Sequence, residues 1–251
     1  MNTVQTLITA ALAMGGVLAT TAVQAAPAGA VKNIVLVHGA FADGSGWKAV
    51  SDILTRDGYK VTVAQPPETS LDDDIAATNR LLDIQDGPTV LVGHSYGGAI
   101  ITGAGNNAHV KSLVYVAAFQ PDTGESLGSL SAGKPPAGAP PKPSADGFLY
   151  IDPAVFHADF CADLPADQAS FMARSQVGLS VKAAGGAATA PAWRTKPSFA
   201  IVATQDRAIN PELERSMYKR SHSTVIELPS SHAVYMSHPA EVAALIERAA
   251  Q

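Results

Sequence analysis

The chain of 251 residues has a single cysteine, Cys161, and few charged side chains. One cysteine cannot form an internal disulfide, so the sequence excludes a disulfide scaffold and a cysteine-rich zinc module. Lys and Arg number 17 against 22 Asp and Glu, and no basic run occurs, which argues against binding to nucleic acid. Because charged residues make up only 16% of the chain and hydrophobic residues 47%, we expect a folded protein with a sizeable core.

The first 25 residues contain no charged side chain, and Leu7 to Val23 form an apolar, Ala-rich run. Small residues around Ala25 predict a secretory signal peptide, residues 1–25, cut after Ala25. It lacks the Lys or Arg that usually begins such a signal. An uncleaved membrane anchor is the alternative, although the run is at the short limit for crossing a bilayer. We therefore expect a periplasmic or secreted protein without stable membrane insertion after processing.

Along the rest of the chain, short apolar runs rich in β-branched residues alternate with helical patterns. The predicted strands are Asn33–Val37, Tyr59–Ala64, Thr89–Val92, Val110–Ala118, Ser198–Ala203 and Thr224–Leu228. Apolar residues recur at helical spacing between them, and Pro211 and Pro239 predict the starts of the last two helices. Strands separated by helices predict an α/β fold with a doubly wound, mostly parallel sheet.

A long segment, residues 119–195, interrupts this alternation. Its first part, 121–147, is rich in Pro, Gly, Ser and Ala and is predicted to be an extended arm. Residues 148–172 then hold five aromatics, which indicates an apolar body with helix starts near Pro153 and Pro165. We interpret 119–195 as a small helical cap over the C-terminal edge of the sheet; a surface insertion without a functional role is the alternative. The core then comprises residues 26–118 and 196–251.

A nucleophile motif follows the third predicted strand. Gly93-His94-Ser95-Tyr96-Gly97 matches G-x-S-x-G, in which the glycines permit a sharp turn from strand to helix. The turn presents the Ser95 hydroxyl to a concave site. The match alone is weak, but here it stands between a strand and an apolar helical stretch, which is the context that the motif requires.

A serine nucleophile needs a base and an acid that orients the base, in this architecture in the chain order Ser, Asp or Glu, His. Asp206 and His232 each follow the end of a strand, on the edge that carries Ser95. His222 precedes its strand and His238 begins a helix, so neither competes strongly for the base. Asp122, which follows the fourth strand, is the alternative acid, and we favour Asp206.

The turn after the first strand, His38-Gly39-Ala40-Phe41, predicts an oxyanion hole formed by the backbone N–H groups of Ala40 and Tyr96. Aromatic residues are the candidates to bind substrate: Phe41, Phe119, Phe148, Tyr150, Phe156, Phe160 and Phe171. His157, Asp159 and Cys161 alternate in the cap, but this spacing of mixed ligands is weak evidence for a metal. We expect neither a metal nor a cofactor.

Four stretches, VLVHGAFADGSGW, VGHSYGG, ATQDRAINPE and SSHAVYMSHP, resemble the corresponding parts of α/β-hydrolases, nearest the small esterase/hydroxynitrile-lyase branch. The resemblance runs from Asn33 to the end of the chain and is weakest in 120–147. It implies an α/β-hydrolase core with Ser95 as nucleophile, His232 as base and Asp206 as acid.

Two positions depart from the plant hydroxynitrile lyases of this branch. Those enzymes carry a lysine after the catalytic histidine and a threonine after the first-strand histidine, where this chain has Ala233 and Gly39. Both differences favour an esterase. We therefore expect a serine hydrolase that cleaves carboxylic esters of small or medium apolar substrates through an acyl-enzyme. A non-catalytic ligand receptor of the same fold and a hydroxynitrile lyase-like enzyme are the alternatives.

Overall fold

The structure of the protein is a computed structural model that describes residues 31–251. The predicted signal peptide and its cleavage after Ala25 lie outside the described residues. Within residues 31–251, no helix combines the length and the apolar character needed to cross a bilayer.

The strands and helices alternate along the chain. The strands are β1 (Asn33–Val37), β2 (Lys60–Ala64), β3 (Thr89–Ser95), β4 (Val110–Ala118), β5 (Lys142–Pro143), β6 (Phe148–Tyr150), β7 (Leu179–Ser180), β8 (Ser198–Ala203) and β9 (Thr224–Leu228). The α-helices are α1 (Lys48–Arg56), α2 (Leu71–Leu82), α3 (Gly97–Ala104), α4 (Leu127–Gly133), α5 (Pro153–Phe160), α6 (Ala166–Arg174), α7 (Val181–Ala184), α8 (Pro211–Arg220), α9 (Val234–Ser237) and α10 (Pro239–Ala249). Short 3₁₀ helices cover Gly44–Trp47 and Ala192–Arg194.

Six strands form one parallel sheet in the order β2-β1-β3-β4-β8-β9. The predicted α/β fold class is therefore confirmed, and four of the strands have the predicted bounds. The chain adds β2 on one side of β1 and then crosses to add β3 on the other side. The direction in which strands are added therefore reverses between β1 and β3. Ligands of open α/β sheets bind at such a reversal, beyond the carboxyl ends of the strands.

The sheet has a hydrophobic layer on each face, because successive side chains of a strand point to opposite sides. On one face, Ile34 and Leu36 of β1 belong to a cluster that also holds residues of α1 and α10. On the other, Val35 and Val37 pack with residues of α2, α3 and α8. Strands buried on both faces explain why the sequence reads as continuous apolar runs there.

The segment predicted to be a cap contains α4 to α7 together with β5, β6 and β7, which form a separate antiparallel sheet that the sequence did not predict. Phe156, Phe160 and Leu164 belong to a third buried cluster, called here the cap cluster, which also includes Ala42 and Ala233 from outside the segment. The Pro-rich part is not an extended arm throughout. It includes α4, whose first turn Ser126 closes with a capping box to Ser129.

Candidate active site

Ser95 lies at the sharp turn between β3 and α3. Its φ of +54° is in the left-handed region, which costs a residue with a side chain on the order of 1–3 kcal/mol. Glycines make the turn possible: a Cβ on Gly93 would lie 2.5 Å from the carbonyl oxygen of Gly97, and one on Gly97 would lie 2.6 Å from that of His38. The chain is thus held in a strained conformation that presents the Ser95 side chain beyond the end of the sheet.

His232 follows β9 and contacts the carboxylate of Asp206, which follows β8. The imidazole Nδ1 lies 2.6 Å from Asp206 Oδ2, and both side chains are buried. Asp206 Oδ1 accepts hydrogen bonds from the backbone N–H groups of Ala208 and Ile209, at 2.7 and 2.9 Å. A proton on Nδ1 donated to this carboxylate leaves the lone pair of Nε2 free to accept a proton.

The alternative acid, Asp122, lies in a different environment. Its carboxylate accepts two hydrogen bonds from Arg194 Nη2, at 2.6 and 2.7 Å. Burial raises the pKa of Asp122, but the Arg194 guanidinium holds it below its usual value. Asp122 therefore belongs to an ion pair at the surface and not to the surroundings of His232.

Two residues that sequence reasoning missed support the loop that carries His232. His94, the variable residue before Ser95, places its Nε2 3.0 Å from the carbonyl oxygen of His232. Complete burial holds the pKa of His94 well below its usual value, so this ring is neutral. Asp163 of the cap accepts hydrogen bonds from Ser230 Oγ and Ser231 N, at 2.7 and 3.0 Å. No local sequence signal connects either residue with His232.

Ala40 and Tyr96, the predicted oxyanion donors, lie at the ends of neighbouring strands. Val37 of β1 pairs with Gly93 of β3, so the loops that follow lie side by side. Among residues 31–251 neither the N–H of Ala40 nor that of Tyr96 has an acceptor. Two buried, unpaired amides beside a cavity are what an oxyanion hole requires.

One cavity of about 300 Å³ brings the predicted site together. Ser95, His232, Ala40 and Tyr96 all line it, and the rest of its wall is largely apolar. Within residues 31–251 Ser95 Oγ has no hydrogen-bond partner. Ser95 and His232 are related by the cavity that both line, and catalytic hydrogen bonds often tighten only when substrate binds.

Of the seven aromatic residues predicted to bind substrate, three line the cavity and four do not. Phe41, Phe119 and Phe160 line the cavity. The other four do not, and each has a different position: Phe156 is buried and stacks on Phe160, Phe148 is half-buried in β6, Tyr150 is 40% exposed, and Phe171 is 64% exposed. The aromatic content of the segment predicts an apolar cap, but it does not predict which rings point into the cavity.

Residues that the sequence did not single out complete the cavity wall. They come chiefly from the Pro-rich part of the cap and from the loop after Asp206: Leu127, Gly128, Ser131, Pro136, Pro140, Pro141, Leu149, Leu179, Ala184, Ala208 and Ile209. The lining contains no Lys, Arg, Asp or Glu. Such a cavity suits an uncharged, apolar group.

A buried acidic cluster contacts Tyr96 and His38. Tyr96 Oη donates to Asp74 Oδ2 at 2.5 Å, and the backbone N–H of Glu68 donates to Asp74 Oδ1 at 2.7 Å. Glu68 Oε1 lies 3.4 Å from His38 Nδ1. Burial raises the pKa of Glu68 to about 7, although the contact with His38 opposes this shift. Asp74, Glu68 and His38 do not line the cavity, whereas Tyr96 does, so the acidic cluster holds a residue of the cavity wall from outside the cavity.

Two of the three cap residues weighed as metal ligands have other partners, and the third is buried. His157 Nε2 lies 3.0 Å from the carbonyl oxygen of Leu164, Asp159 pairs with Arg207, and the Cys161 thiol is buried. Within residues 31–251, no three His, Cys, Asp or Glu side chains are grouped so that they could hold a metal ion.

Comparison with known proteins gives one family match. The model described as "Alpha/beta hydrolase family" matches residues 34–245. A carbendazim hydrolyzing esterase from Nocardioides sp. (strain SG-4G) is 30% identical over 151 residues, which cover 54% of this chain and 61% of that protein. The match thus spans less than two thirds of this curated relative.

Solved structures with the same fold include a pyrethroid hydrolase and a methylesterase. A pyrethroid hydrolase is 24% identical, with a TM-score of 0.70 over 87% of this chain and 96% of its own. A methylesterase from Arabidopsis is 20% identical, with a TM-score of 0.72 over 87% of this chain and 98% of its own. At these identities the similarity concerns the fold alone.

Proposed function

This chain belongs to the alpha/beta hydrolase family, as its motifs predicted, and from that premise we propose that it hydrolyses carboxylic esters with small or medium apolar groups. One observation carries the proposal. Ser95 and His232 line a single apolar cavity, and the His232 imidazole lies 2.6 Å from the buried carboxylate of Asp206. A nucleophile, a base and an orienting acid in this relation perform acyl transfer.

In the proposed mechanism, Ser95 Oγ attacks the ester carbonyl carbon while its proton passes to His232 Nε2. The carbonyl oxygen becomes an oxyanion that accepts hydrogen bonds from the Ala40 and Tyr96 N–H groups. His232 returns the proton to the alcohol as the C–O bond breaks, which leaves an acyl group on Ser95. Water, deprotonated by His232, then attacks the acyl carbon, and the acid leaves as Ser95 regains its proton.

The relatives support an ester substrate without naming it. The partial relative hydrolyses carbendazim, and the two structural neighbours are a pyrethroid hydrolase and a methylesterase. The absence of charged side chains from the described cavity lining favours a neutral, apolar ester over a charged one.

A series of p-nitrophenyl esters of increasing acyl length tests the proposal, with Ser95→Ala as the control. We expect turnover by the wild type and a loss of at least about 10³ in kcat in the variant, because the covalent route is removed. A phosphonate inhibitor should label Ser95 alone. Full activity in Ser95→Ala would reject the assignment, and no turnover of any ester would favour the receptor alternative.

A further inference from the structure

The segment 135–141, called here the proline wall, forms part of the cavity although it has little regular structure of its own. Pro136, Pro140 and Pro141 line the cavity. Proline has no backbone N–H, so a segment rich in it can form few backbone hydrogen bonds. Its position must therefore be fixed by contacts from other parts of the molecule.

An ion pair between the cap and the loop after Asp206 makes those contacts. Arg207 Nε donates to Asp159 Oδ1 at 2.9 Å, and Asp159 lies in α5 with its side chain 10% exposed. Asp159 Oδ2 accepts from the N–H of Ala139 at 2.9 Å. Arg207 Nη2 donates to the carbonyl oxygen of Ala137 at 3.1 Å, and its own carbonyl oxygen accepts from the N–H of Gly138 at 2.7 Å. Four hydrogen bonds thus join three separate segments.

The fit at this junction is close. A Cβ on Gly138 would lie 2.6 Å from the carbonyl oxygen of Arg207 and 3.0 Å from Asp159 Cγ. Asn210 Nδ2 also donates to the carbonyl oxygen of Pro135, at 3.0 Å. The proline wall is therefore held against the same loop that supplies Asp206 to the site.

We propose that Asp159 and Arg207 are specificity-determining positioning residues, which fix the proline wall and so limit the length of the apolar acyl chain that the cavity admits. The inference rests on the proposed ester hydrolysis and extends it to residues that touch no reacting atom. The Asp159 carboxylate is buried although Arg207 is 48% exposed, and a carboxylate that also accepts from a backbone N–H holds its partners better than an isolated surface pair does. Without the pair, the wall keeps only the backbone hydrogen bond from Gly138 to Arg207 and the contact with Asn210 among the contacts described here, so the cavity can lengthen.

Two variants and a control test this. Asp159→Asn keeps an acceptor for Ala139 but removes the charge opposite Arg207, whereas Arg207→Gln removes the contacts with both Asp159 and Ala137. Lys142→Gln is the control, because it breaks another ion pair of the cap, at 2.6 Å to Asp152, whose two residues do not line the cavity. The ratio of kcat/KM for p-nitrophenyl octanoate to that for the acetate is measured with each protein, together with hydrogen exchange of the amides of 138 and 139.

We expect the octanoate-to-acetate ratio to rise at least about tenfold in both variants, with faster exchange at 138 and 139, and neither change in Lys142→Gln. An unchanged ratio in both variants would overturn the inference, even if exchange becomes faster. An equal rise in Lys142→Gln would also overturn it, because general loosening of the cap would then be the cause. A wild-type protein that hydrolyses no ester would instead overturn the proposed function.

Discussion

At the scale of single residues, the contact between His232 and Asp206 distinguishes two acids that both follow a strand. In Asp206→Asn, the amide oxygen can still accept from Ala208 and Ile209, but its NH₂ group then faces His232 Nδ1. The imidazole would take the wrong tautomer, with its proton on Nε2. We expect kcat to fall by about 10⁴ with the fold intact, as in a serine protease with the same substitution.

Asp122→Asn is the matched variant for this measurement. It breaks the ion pair with Arg194 but keeps an oxygen that can accept from the Thr123 N–H, and surface pairs of this kind contribute about 0–1 kcal/mol. We expect kcat within about twofold of the wild type. The two variants are compared at one pH after circular dichroism has shown that both fold. If Asp122→Asn were inactive and Asp206→Asn active, Asp122 would be the acid. The assignments of Ser95 and His232 would not change.

Ala233 gives a second test at the residue scale, since plant hydroxynitrile lyases carry a lysine at this position. Ala233 is fully buried within the cap cluster, and it supplies no cation for departing cyanide. An anion that develops without a counter-charge in a dry pocket is costly. We expect cyanide release from mandelonitrile to stay within about twofold of the uncatalysed rate, while the same preparation hydrolyses p-nitrophenyl acetate. Release far above that background would show lyase activity.

At the scale of elements, the cap supplies the wall that an acyl chain would contact. Each buried methylene contributes about 0.8 kcal/mol, so kcat/KM should rise roughly fourfold per added carbon until the cavity is full. Leu149 in β6 lines the cavity, and Leu149→Ala should move the end of this rise to longer chains by one or two carbons. The p-nitrophenyl ester series measures this directly.

Phe171→Ala is the matched control for the cap. Phe171 lies in α6 of the same cap, but its side chain is 64% exposed and does not line the cavity. We expect its length profile to match that of the wild type. The cap would not select substrate by the contacts described here if kcat/KM did not depend on acyl length. The same would follow if the profile shifted equally in the two variants.

At the scale of the whole molecule, the buried carboxyl of Glu68 connects stability to pH. Its pKa in the folded state is about 7, above the usual 4.5, because burial disfavours the charged form. The folded protein therefore binds this proton more tightly than the unfolded chain does. The resulting stabilisation is complete below pH 4.5 and is lost as the pH rises to about 7, an effect of up to about 3 kcal/mol.

Glu68→Gln removes this contribution, since the amide resembles the protonated acid and does not titrate. Urea unfolding from pH 4.5 to 7.5 should show a smaller fall in unfolding free energy for the variant than for the wild type. Asp74, whose pKa is raised by burial, keeps part of the slope in both proteins. Burial lowers the pKa of His38 but the hydrogen bond with Glu68 helps to raise it, so the contribution of His38 is smaller in the variant. Equal slopes in the two proteins would show that Glu68 titrates as an exposed carboxyl does.

Asp163→Asn provides a control of opposite sign. Burial raises the pKa of Asp163, but the hydrogen bonds from Ser231 and Ser230 outweigh burial and hold it below its usual value. Its stabilisation is therefore present at neutral pH and is lost only on acidification. The slope of this variant between pH 4.5 and 7.5 should match that of the wild type.

The sequence by itself determined the features that depend on neighbouring residues. Buried strands such as Asn33–Val37 and Ser198–Ala203 appear as apolar, β-branched runs with the bounds seen in the structure. The turn at Ser95 was recognisable because only glycine fits at Gly93 and Gly97. Parallel strands also place their following loops on one edge, which made Asp206 and His232 candidates before any contact was known.

Only the tertiary structure decided which side chains meet, because those contacts join residues far apart in the chain. It brings Asp163 to Ser231 across 68 positions, and Arg207 to Asp159 across 48. It turns Phe160 into the cavity and leaves Phe171 exposed, although both are phenylalanines of cap helices. The direction of a side chain follows from the packing of whole elements, and no local pattern of residues records that packing.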